Sequence, residues 1–180
     1  MRILYEFSQP ERFVVGTVGL PGERAFYLQV SNQKRVVTVA IEKGQASVLA
    51  NGLEKLLEDL HRMGQDVPMV EPGDLDLEPL ELPVDPEFVA YSMGLAWNAE
   101  AELLTLEIHA ESDEIPDVEE NPDSGPECLR VRINLLQARS FISRTQKVVA
   151  AGRPLCTFCQ YPIDPQGHVC PRSNGFRRGI

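Results

Sequence analysis

The chain has no apolar run approaching the ~18 residues a bilayer-spanning helix requires, and its opening M-R-I-L-Y-E-F has no signal-peptide core. Both absences lead us to expect a cytoplasmic protein. Aromatic residues make up 7% of the chain, and 27 acidic residues outweigh 17 basic ones. A net charge of −10 and a pI near 4.8 oppose long-range attraction of a polyanion. No G-x-S-x-G, P-loop, G-x-G-x-x-G or H-E-x-x-H motif occurs. The paired carboxylates fall in stretches of low order, where acid–base geometry would be poorly held. A non-enzymatic role is the expectation, and an enzyme of unknown reaction is the remaining alternative.

Cysteine is scarce too, and its placement is informative. Of four cysteines in 180 residues, three stand at Cys156, Cys159 and Cys170, with His168 beside the last. This is no disulfide framework, and it fits a reducing compartment. The Cys-x2-Cys pair can reach one ion from a tight loop, and the i, i+2 spacing of His168 and Cys170 points both to one side of an extended segment. Pro162, Pro165 and Gly167 are turn residues that fold the second pair back on the first. Three thiolates and one imidazole make a closed tetrahedral set, the composition of a structural zinc site. The alternatives are a redox pair, against which Pro154 and Pro162 argue by opposing a long helix, and unpaired thiols. Cys128 opens an apolar strand and reads as a small core residue or a substitute ligand.

The charge is unevenly placed. Residues 71–87 hold seven acidic side chains and no basic one, and 111–127 hold eight and no basic one. Such runs read as solvated linkers. Residues 152–180 carry Arg153, Arg172, Arg177 and Arg178 against Asp164 alone. This basic tail can bind a polyanion or pack on an acidic loop, and packing is favoured because the overall field opposes a polyanion at long range. Of the histidines outside the cluster, His61 reads as a helix-end cation and His109 as a solvated strand end.

Period-two patterning predicts strands over 2–7, 13–20, 25–30 and 35–41. A helical period follows from Gln45 to about Met63, with Gly64 as its C-cap. Sliding the chain on itself by 75 positions sets F-V-V-G-T-V-G-L (13–20) on F-V-A-Y-S-M-G-L (88–95) and Tyr5–Phe7 on Leu80–Leu82. At 78 the third strand meets 103–108, and at 92 the fourth strand and the helix meet 129–151. Offsets that change only in loops are what a duplicated unit gives. The expected fold class is α+β: two tandem ββββα repeats, 1–64 and 79–151, packed about a pseudo-twofold axis. An acidic linker 65–78 joins them, an acidic loop 111–127 interrupts the second, and a zinc-binding tail 152–180 follows. In topology alone this resembles the Pur-type and Whirly-type single-stranded nucleic-acid binders.

The segments F-V-V-G-T-V-G-L-P-G-E-R-A-F-Y-L-Q, M-G-L-A-W-N and G-R-P-L-C-T-F-C-Q-Y-P-I-D-P-Q-G-H-V-C-P-R-S-N-G-F-R-R resemble an uncharacterised repeat-protein family common in actinobacteria. The resemblance implies a bacterial cytoplasmic protein and brings no catalytic residue with it. The function expected is a protein-interaction or adaptor module whose tail presents Arg172, Asn174, Phe176, Arg177 and Arg178 to a protein partner. The alternative is a single-stranded nucleic-acid binder using the inter-repeat sheet and the basic tail. For Arg177 and Arg178 a frayed terminus is the plainer reading.

Overall fold

β-branched and aromatic residues alternate with polar ones through the first forty positions, and the computed structural model forms strands there. They are β1 (Leu4–Ser8), β2 (Arg12–Val18), β3 (Ala25–Asn32) and β4 (Arg35–Ile41), followed by helix α1 (Lys43–Arg62). The second half supplies β5 (Phe88–Val89), β6 (Ser92–Asn98), β7 (Leu103–His109), β8 (Cys128–Ile133) and helix α2 (Leu135–Ala150). The structure describes residues 3–112, 125–152, 154–163 and 166–172. Asn174, Phe176, Arg177 and Arg178 lie outside this set, as do Arg153 and most of the acidic loop.

The strands form two four-stranded sheets, ordered β2-β3-β4-β5 and β1-β8-β7-β6. Each sheet takes one edge strand from the other half of the chain. β1 lies parallel to β8, with Phe7 opposite Val131, and β5 lies parallel to β4, with Phe88 opposite Val39. The segments 1–64 and 79–151 therefore do not each close a sheet of their own. One hydrophobic core spans both, with Leu28, Leu53, Leu57, Leu106, Ile108, Leu129 and Phe141 essentially without solvent contact. The Phe13 and Phe141 rings stack at 4.5 Å between centroids and join β2 to α2.

Both helices start on a capping box. Gln45 accepts from the Glu42 amide, and Asn134 and Gln137 exchange bonds in the same way. Each glutamine uses its amide nitrogen on a distant loop: Gln45 Nε2 donates to the Ala90 carbonyl and Gln137 Nε2 to that of Pro10. The end of α1 is the expected glycine cap. Gly64 sits at φ +91°, its amide bonds the His61 carbonyl, and that of Gln65 bonds Leu60, a Schellman pair.

Two expectations change. The apolar run 88–95 is not one strand, because it passes from one sheet to the other at Ala90-Tyr91. Residues 80–84, where the match to Tyr5–Phe7 leads one to expect the first strand of the second unit, form no strand. Pro79, Pro83 and Pro86 remove the amide donors a ladder needs, so a side chain replaces the missing neighbour. The buried Gln29 accepts from the Glu81 amide at 2.8 Å and donates to the Glu81 carbonyl at 3.1 Å. Ser31 donates to the Glu81 carboxylate at 2.6 Å, and Leu80 packs so close over Gly16 that a Cβ there would collide with it.

The acidic stretch is thereby strapped down. Arg12 makes a fork to Asp76, Nε to Oδ2 at 2.6 Å and Nη2 to Oδ1 at 3.1 Å, and also reaches the Glu78 carbonyl. The buried Arg144 donates to the carbonyls of Val15 and Asp76 and to Asp76 Oδ1. Charge alone reads as a solvated linker; the arginines that neutralise it are 64 and 68 positions away. Gln29→Leu should lower the unfolding free energy by about 1–3 kcal/mol, since it strands both polar groups of Glu81. Urea titration would check this, and an unchanged midpoint would show that the strap is not held there.

Candidate metal centre

The tail begins as a small hairpin. Leu155 bridges to Pro162, the Cys156 amide donates to the Tyr161 carbonyl at 2.8 Å, and the Gln160 amide donates to that of Cys156 at 2.9 Å. The Cys-x2-Cys pair thus occupies a tight turn, with Gln160 at φ 62° completing it. Gly167, at φ 89°, leads the chain into His168, a conformation that favours glycine.

The turn and the returning segment bring the four ligand-type residues together. One donor atom from each of Cys156, Cys159, His168 and Cys170 lies within 4.8 Å of every other. Cys156 Sγ and Cys170 Sγ are 3.8 Å apart, and Cys159 Sγ is 3.3 Å from His168 Nε2. Cys156 and Cys170 are buried. Desolvation and the nearby Cys156 and Cys170 push the Cys159 thiol up, against a backbone hydrogen bond at Tyr161 that lowers it. Three sulfurs and an imidazole gathered this closely make a matched donor set for a soft or borderline cation. These four residues could hold a metal ion.

The side chains around the cluster face water. Leu155, Phe158, Tyr161 and Val169 are 57%, 63%, 64% and 79% exposed. Of the residues expected to meet a partner, Arg172 is described, and its Nη1 donates to the Phe158 carbonyl at 3.2 Å. It therefore braces the hairpin that carries Phe158. Gln166 reaches Glu23 on the β2–β3 loop at 3.1 Å, a contact between tail and body.

The remaining histidines and Cys128 lie elsewhere. His61 is exposed on the last turn of α1. His109 is not a solvated strand end, because it is 5% exposed and its Nε2 lies 3.3 Å from Glu107 Oε2. Cys128 is fully buried and stands opposite His109 across the β7–β8 ladder, apart from the tail cluster. Among the described residues no helix is long and apolar enough to cross a membrane.

Together these features define a mixed α+β protein of two sheets and two helices with a Cys3His cluster near its C-terminus. The chain belongs to the family described as a protein of unknown function (DUF3090), which matches residues 5–170. That span includes all four cluster residues and ends on Cys170. No curated protein gives a significant match, and neither does any solved structure.

Proposed function

We propose that the protein is a non-enzymatic interaction module of the bacterial cytoplasm, with a structural zinc ion fixing a tail that docks a protein partner. The observation that carries this reading is the exposure of Leu155, Phe158, Tyr161 and Val169 around a donor cluster. Large apolar side chains grouped on a stiffened loop are what an interface presents before it is covered.

The zinc assignment is supported by spacing. Bonds of about 2.3 Å at the tetrahedral angle separate two sulfurs by about 3.8 Å, the distance between Cys156 Sγ and Cys170 Sγ. A sulfur and an imidazole nitrogen on the same ion lie about 3.6 Å apart, against 3.3 Å between Cys159 and His168. Four such ligands leave no open position, so the role assigned to the ion is structural.

The body is read as a duplicated ββββα unit with exchanged edge strands. Leu28 faces Val39 and Leu106 faces Val131, in keeping with the offsets of 78 and 92. Gln45 and Gln137, also 92 apart, make the same double use of their side chains. The offset of 75 does not survive in this reading. Val15 faces Leu28 and Leu95 faces Leu106, which gives 80. For the exchanged edge strands Phe7 faces Val131 and Phe88 faces Val39, which gives 81, so Phe88 corresponds to Phe7 and not to Phe13.

Affinity capture with the full chain and with a Phe158→Ala/Tyr161→Ala variant tests the docking role. A protein recovered in near-stoichiometric amount by the wild type, and lost at least tenfold from the variant at unchanged metal content, is the expected result. Equal recovery by both would overturn the reading. Exposed Phe158 and Tyr161 beside Arg172 also have the composition of a base-stacking surface. Salt-sensitive retention of the chain on a single-stranded oligonucleotide would favour that second reading.

A further inference from the structure

We infer that Glu107, His109 and Cys128 form a second site for a divalent transition-metal ion, on the outer face of the β7–β8 ladder. The ladder itself assembles the donors. Glu107 and His109 stand two apart on β7, so their side chains share a face. Cys128 lies directly opposite His109, and Arg130 directly opposite Glu107. One donor atom from each of Glu107, His109 and Cys128 lies within 4.8 Å of the other two. Glu107 Oε2 and His109 Nε2 are 3.3 Å apart. Metal–nitrogen and metal–oxygen bonds of about 2.1 Å at the tetrahedral angle give an edge of about 3.4 Å.

The surroundings suit ligation. Arg130 Nε holds Glu107 Oε1 at 2.7 Å, which leaves Oε2 on the side of His109. A carboxylate anchored through one oxygen and ligating through the other is the usual outer support of a metal site. Cys128 and His109 are buried, so little water competes for the ion. One thiolate, one imidazole and one carboxylate form a borderline set that suits zinc or cobalt better than magnesium or calcium. The site differs from the tail cluster in kind. Among the described residues it gathers three ligand-type side chains of mixed character, whereas Cys156, Cys159, His168 and Cys170 offer four dominated by sulfur.

The test is anaerobic titration of the full chain with Co2+, read by bound stoichiometry and by the thiolate-to-cobalt charge-transfer band. His109→Gln and Glu107→Gln should each bind about one ion fewer than the wild type and keep the bands of the tail. Cys156→Ser should lose the tail bands and keep those of the sheet site. Glu107→Gln retains the size of the side chain and its acceptor for Arg130, so it carries the test if His109→Gln does not fold. Equal Co2+ binding by the wild type and Glu107→Gln would overturn the assignment, as would a wild type whose bound cobalt is lost entirely in Cys156→Ser.

Discussion

Replacing Arg144 with methionine should lower the unfolding free energy by about 3–5 kcal/mol, the range for breaking a buried charged network from one side. Methionine replaces the apolar stem of the side chain. The guanidinium is what it cannot replace. Arg144 is 5% exposed, its Nε serves the Val15 carbonyl, and its Nη1 serves both the carbonyl and Oδ1 of Asp76. Its loss strands the buried Val15 carbonyl and frees the part-buried Asp76 carbonyl and carboxylate from their partner. Burial pulls the Arg144 pKa down, and the field of Asp76 opposes that shift. Urea unfolding of the variant is the check. A midpoint within experimental scatter of the wild type would show that the strap contributes nothing.

The same clasp sets an acid limit. The hydrogen bond from Arg12 holds the Asp76 carboxyl below the usual carboxylate range, helped by the Glu78 amide and Arg144, while burial acts the other way. A carboxyl depressed in the folded state contributes stability that is fully present above its unfolded value of about 3.9. The contribution fades as pH falls through the lower folded value. Asp76→Asn should therefore be less stable at neutral pH and should lose less of its stability than the wild type as pH falls below about 4. Parallel acid titrations of both would show a constant gap if Asp76 were not the group involved.

On the proposed reading of the cluster as a zinc site, Cys156→Ser should abolish metal binding by the tail and release the hairpin, with the two-sheet body still folded. Structural zinc in small peptides contributes apparent binding free energies of about 10–16 kcal/mol, so a tail lacking a core of its own depends on it. The readout is local. The amides of Cys156, Gln160 and Ile163, bonded to Tyr161, Cys156 and Pro154, should lose hydrogen-exchange protection at least tenfold. Those of β3 and β7 should keep theirs. Loss of protection throughout would mean that the tail belongs to the core, beyond its contact at Glu23.

Local signals carried much of this fold. The 3.6-residue period and Gly64 placed α1 to within about two residues, and the Cys-x2-Cys…His-x-Cys spacing singled out four residues that do converge. What escaped is non-local. Nothing near Phe88 in sequence tells that it pairs with Val39, since a short apolar run reads alike whether it continues or crosses to another sheet. Nothing in the acidic run 71–87 announces Arg12, Arg144 and Gln29, which come from three other elements to hold it. His109 reads as solvated from its position at a strand end, and its burial beside Cys128 depends on a register fixed by the whole ladder. The i, i+2 pair Glu107 and His109 was the available sign of it.

The most direct test of the central claim is elemental mass spectrometry on protein purified without a histidine tag or added metal, comparing wild type with Cys156→Ser. The account predicts zinc in the wild type and about one zinc fewer per chain in the variant. A wild type free of metal, with reactive thiols at Cys156 and Cys159, would contradict it and turn that pair into a redox candidate.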